Sequence, residues 1–140
     1  MITEDYVSFE TAKLLKEKGF DEKCYAYWDL TTVTKTPKIG ISDSSKNWNY
    51  KWNPFSLPVS APTLQMAMKW LRKEHDFHIE IRITNHSISS MLEIIKYYWI
   101  ILDAKKAKWI CESTVYDVKA FDTPEEACDV AIKYCLENLI

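Results

Sequence analysis

Residues 46–53 hold the chain's densest set of side chains suited to recognition. Trp48, Tyr50 and Trp52 recur at every second position, with Lys46, Lys51 and Asn53 beside them. In a strand that spacing puts all three rings on one face. Aromatic rings interleaved with lysines can stack sugars or bases, or anchor a partner protein. Trp48, Tyr50, Trp52 and Lys51 are therefore the candidate recognition surface. The plainer and weightier reading is an ordinary strand that packs its rings on the core.

Other constellations offer less. His75 and His78 lie three apart but straddle a helix end and a strand start, and with His86 they complete the histidines. No nearby cysteine completes a zinc set, and His75 suits a helix C-terminus, so no metal ligand is assigned. Cys24, Cys111, Cys128 and Cys135 have no C-x-x-C spacing. They read as reduced, buried thiols acting as small hydrophobes. A Gly-x-Ser-x-Gly elbow is absent, and Gly19 and Gly40 alone cannot build a phosphate loop. Asp122, Glu125 and Glu126 fit a helix start without acid–base work. No catalytic residue and no cofactor is expected, and the chain reads as a non-enzyme.

The composition fits one soluble domain over residues 1–140, with 47% hydrophobic and 14% aromatic residues. Six tryptophans in so short a chain suggest rings at a core edge or in an interface. Basic and acidic residues nearly cancel, at 18 against 20 for a net charge of −2. A dedicated nucleic-acid binder would carry a positive excess or a basic face. Met1-Ile-Thr-Glu-Asp5 has neither the basic nor the apolar part of a signal peptide, and the apolar run 91–102 carries Glu93 and Lys96. A cytoplasmic protein without a membrane partner is expected.

The elements that must position these residues follow from periodicity. Ser8 caps a helix over 9–18 that Gly19 stops, and Cys24 to Leu30 reads as a strand. Segments 38–41 and 48–52 could pair as a hairpin around Asp43 to Lys46, although 31–60 as a whole could equally be loop. A helix over 62–75 carries Leu64, Ala67, Met68 and Leu71 on one stripe. Ile79, Ile81 and Ile83 should face inward from a strand whose His78, Glu80 and Arg82 face out. Ser90-x-x-Glu93 could cap a helix, but the β-branched and aromatic run from Ile94 to Leu102 favours a strand. After a turn at 103–106 the chain returns as a strand over 108–114. Thr123 and Pro124 then open a last helix to 139. The fold expected is α+β: an antiparallel sheet with helices packed on one face, in α-β-β-β-α order over residues 61–140, preceded by an α-β unit.

That order, with the helix patterning of 61–140, resembles the double-stranded-RNA-binding domain. The family's last helix opens on phosphate-gripping lysines, whereas Thr123-Pro-Glu-Glu-Ala-Cys-Asp129 places carboxylates there. Acidic groups at that point would repel phosphate. Taken whole, the chain resembles a loose group of uncharacterised small proteins from the genomes, phages and mobile elements of gut-dwelling anaerobic bacteria. The likeness rests on residues 7–20, Val7-Ser-Phe-Glu-Thr-Ala-Lys-Leu-Leu-Lys-Glu-Lys-Gly-Phe20, and on the blocks 60–75 and 123–140. It implies no activity and no site residue. It does imply a bacterial cytoplasm and an accessory role linked to a phage or mobile element. The expected function is contact with an unidentified protein partner or with a second copy as a homodimer. The alternative is a nucleic-acid-associated protein that keeps the helix–sheet order without the basic site.

Overall fold

The computed structural model describes residues 1–31, 33–49, 57–89, 92–113 and 120–140. It divides into two compact units, one of Met1–Ala67 with Leu136–Ile140 and one of Met68–Cys135. Each is built on a three-stranded antiparallel sheet, which makes the fold α+β.

In the first unit, helix α1 (Phe9–Glu17) starts where Ser8 Oγ accepts the Thr11 amide at 3.2 Å. It ends at Gly19, whose φ of 91° is the left-handed geometry that glycine adopts without strain. The sheet has strand order β2-β1-β3, from β1 (Cys24–Leu30), β2 (Pro37–Lys46) and β3 (Val59–Ser60). Alternation along β1 sends Cys24 and Ala26 into a core with Val7, Ala12, Leu15, Phe20 and Val59. Trp28 shares that face, donating its indole N–H to the Val7 carbonyl at 3.0 Å and meeting Phe9 edge-on. The opposite face of β1 carries Tyr25, Tyr27 and Asp29.

Among the described residues no hairpin turn forms around 43–46, and 50–52 of its expected second strand lie outside them. Residues 43–46 continue β2, which pairs with β1 up to Cys24 opposite Lys46 through an irregularity between Cys24 and Ala26. The shift takes up Ser42 to Ser45, which include the residues that read as a turn. Trp48 consequently lies in a turn after β2 and not on a strand.

Helix α2 (Leu64–His75) follows, and the division between the units falls after Ala67. The second unit then runs β4 (Phe77–Ser89), β5 (Leu92–Asp103), β6 (Lys108–Glu112) and α3 (Pro124–Tyr134), giving the α-β-β-β-α order expected. The ambiguous segment before residue 103 is strand, as its β-branched and aromatic residues indicated. Asp103 closes the β5–β6 turn by accepting the amides of Lys105 and Lys106, both at 2.9 Å. Those amides, Lys106 first, hold its carboxyl below the usual range. Thr123 caps α3 by accepting the Glu126 amide, with Pro124 in the first turn.

The register of β4 on β5 places Ile79 beside Ile101, Ile81 beside Trp99 and Ile83 beside Tyr97, all on one face. Helix α3 packs on this face, with Tyr134 stacked on Trp99 at 5.0 Å. Cover ends before the ribbon does. Ile79 is 7% exposed, Ile81 is half-buried, and Ile83 is 62% exposed. The inward position expected for Ile83 is therefore corrected: it shares the core face but lies outside the packed part.

Candidate functional site

Of the candidate surface, Trp48 lies within the described residues, and Tyr50, Lys51 and Trp52 lie outside them. Trp48 does not stand alone. Its ring stacks on Tyr27 with centroids 4.3 Å apart and planes inclined by 36°. Its indole N–H donates to the Cys24 carbonyl at 3.0 Å, and the Lys46 ammonium sits 5.5 Å from its ring centroid. The turn is stitched down from behind. The Trp48 amide donates to Ser60 Oγ at 3.0 Å, while Asn49 accepts the Ser60 amide and donates to the Phe20 carbonyl. Each of these bonds ends on β1, β3 or the loop after α1, so the ring is fixed before any ligand arrives.

Tyr27 also explains Gly40, its partner in the register across to β2. A Cβ at Gly40 would come within 2.7 Å of Tyr27 Cε2, so a bare backbone lets the phenol lie across the strand. Next along the same face, Asp29 is opposite Lys38. Tyr27, Asp29, Leu30, Thr31, Lys38 and Gly40 line an open depression of about 280 Å³. Tyr25, 57% exposed, continues the aromatic row on β1. The face thus offers two stacked rings, a third exposed ring, two lysines and a carboxylate. The chemistry such a set offers is stacking and charge-assisted hydrogen bonding.

The sequence reading reached Trp48 and Lys46 but missed Tyr27, Gly40, Asp29 and Lys38. Gly40 between Ile39 and Ile41 was the available signal, since a strand glycine marks close approach of another group.

Among the described residues no group of three His, Cys, Asp or Glu could hold a metal ion. Burial pushes the thiols of Cys24, Cys128 and Cys135 from 9.0 up to about 12, aided at Cys24 by Glu22 and at Cys128 by Asp129. A thiol so protonated is a poor nucleophile and serves as packing. At the start of α3, Glu125 and Glu126 occupy the first turn as the sequence indicated. No helix among the described residues is long and apolar enough to cross a membrane. Comparison with protein-family models, curated proteins and solved structures returns no match to this chain.

Proposed function

We propose that the chain is a non-enzymatic accessory protein of a phage or mobile element, acting in the bacterial cytoplasm through protein–protein contacts. One observation carries this reading. Tyr27 and Trp48 form a pre-set stack on an open sheet face, beside exposed Tyr25 and within reach of charges of both signs. Tyrosine and tryptophan anchors ringed by polar groups are the usual centre of a protein interface. The acidic first turn of α3 and the near-neutral charge argue against the nucleic-acid alternative.

Two measurements test the reading together. A photo-crosslinking residue at Tyr25, used in the host, should yield a protein adduct that Trp48→Ala removes. Titration of duplex RNA, duplex DNA and single strands at about 0.15 M salt should show no saturable binding. Salt-sensitive binding to any of these, or adducts indifferent to Trp48→Ala, would overturn it.

A further inference from the structure

We infer that β4 is a self-pairing edge, through which two copies of this chain join their β4-β5-β6 sheets into one six-stranded sheet. This deepens the reading above by naming a second copy as a partner. It uses residues remote in sequence from the Tyr27–Trp48 face and so can fail independently of it.

Among the described strands, β4 is an end strand of its sheet. Alternate residues of an antiparallel end strand turn their N–H and C=O groups away from the neighbour, and such an edge is a template for another strand. Proteins often defend an edge with charged side chains, lysine above all, or with proline. The middle of β4 has no proline or lysine and reads His78-Ile-Glu-Ile-Arg-Ile-Thr84. Its two charges are opposite in sign, two positions apart and so able to complement those of a second copy. Glu80 and Arg82 already join on one face, Nη2 to Oε2 at 2.9 Å, and both side chains remain partly exposed. Glu80, then Tyr98, raises the Arg82 guanidinium further above its ordinary value.

A two-fold axis normal to the sheet keeps each side chain on its own face, so the axis must pass through a residue facing its own copy. Centred on Glu80 or on Arg82, the pairing would set like charges against each other. Centred on Ile81, it sets Glu80 opposite Arg82 of the second copy, twice, and closes a ring of four alternating charges. The same register sets Ile83 opposite Ile79 of the second copy. Ile83, whose apolar surface α3 leaves open, then gains an apolar neighbour in a helix-covered part of the sheet. Edge pairing, charge and the uncovered isoleucine thus agree on one register and one occupant.

Sedimentation equilibrium at up to about 0.1 mM tests this with five proteins. The wild type should dimerise. Glu80→Arg alone and Arg82→Glu alone should each weaken the dimer by about tenfold or more, since both cross-strand pairs of positions 80 and 82 become like-charged. An equimolar mixture of the two should form a heterodimer, and the double reversal should restore the homodimer. The heterodimer also shows that the single variants fold. A monomeric wild type, single variants that dimerise like the wild type, or a mixture that stays monomeric would each overturn the inference. Trp48→Ala should leave the dimer unchanged. A dimer lost in Trp48→Ala would place self-association on the aromatic face and would also overturn it.

Discussion

Each unit stacks a tryptophan on a tyrosine, and the two pairs differ in what surrounds them. Trp99 and Tyr134 meet at 5.0 Å beneath α3, where Trp99 is 5% exposed and, among the described residues, no acceptor meets its Nε1. Trp48 and Tyr27 meet at 4.3 Å on an open face, half-buried, with the Trp48 N–H satisfied by the Cys24 carbonyl. The covered pair contributes area and leaves a polar atom orphaned. The open pair contributes less area but has its polar atom answered. A ring that is hydrogen-bonded and still reachable keeps its orientation without a partner, as pre-organised recognition requires. A ring sealed under a helix can only hold the fold.

The largest expected effect follows from the covered pair. Trp99→Ala should lower unfolding free energy by about 3–5 kcal/mol in urea titration, the range for buried aromatic truncation. Trp99→Phe keeps a ring against Tyr134 and removes the orphaned N–H, so it should cost about 1 kcal/mol or less. Equal costs for the two would mean that the indole has a partner and that the contrast between the pairs is wrong.

Next in size is the alkaline limb of stability, to which the two units contribute unequally. The folded state keeps the thiols of Cys24, Cys128 and Cys135 protonated up to about 12, whereas the unfolded chain releases them near 9.0. Their contribution is fully present below about pH 9 and declines as pH climbs toward 12, because the unfolded state then binds fewer protons. Cys128→Ala with Cys135→Ala, both in the second unit, should flatten the fall in urea midpoint more than Cys24→Ala does. Identical slopes in all variants would show that other groups drive the alkaline loss.

The open pair should matter less to stability. Trp48→Ala removes one stack and one hydrogen bond, about 1–2 kcal/mol together. A cost of about 3 kcal/mol or more in the same urea titration would make Trp48 a core residue like Trp99.

How much of this contrast the sequence carried depends on which signal each element sends. Helix α1 was legible from Ser8 and Gly19, and β5 from its β-branched run, because capping and sheet preference act locally. The identity of the face was legible too: Ile79, Ile81 and Ile83 do lie together. Whether that face is covered was not, since cover depends on where α3 ends on the sheet, and alternation looks the same under a helix and in solvent. Around Trp48 the local signals pointed the wrong way. Asp43-Ser44-Ser45 has turn composition but is taken up in the register shift of β2, and Lys46 pairs with Cys24, a long-range choice that single-sequence periodicity does not contain. Tyr27 meets Trp48 from another element for the same reason.

Gly40 allows the smallest and most local test of the comparison. Its backbone lies under the Tyr27 ring, and alanine there would bring a Cβ within 2.7 Å of Cε2, inside any normal carbon–carbon contact. The strand is paired with β1 on either side of this point, at Ile39 with Trp28 and at Ile41 with Ala26, so the backbone has less freedom than the side chain. The ring should move, and with it the overlap with Trp48. Gly40→Ala should therefore change the near-ultraviolet circular dichroism of the aromatic pair, while stability falls by only about 1 kcal/mol. The Cβ would partly offset that loss by favouring the extended backbone over the unfolded chain. Crosslinking from Tyr25 should weaken in step with the spectral change if the stack is the recognition element. An altered spectrum with undiminished crosslinking would instead assign recognition to Tyr25 and the lysines, and the open pair would then differ from the covered one in exposure alone.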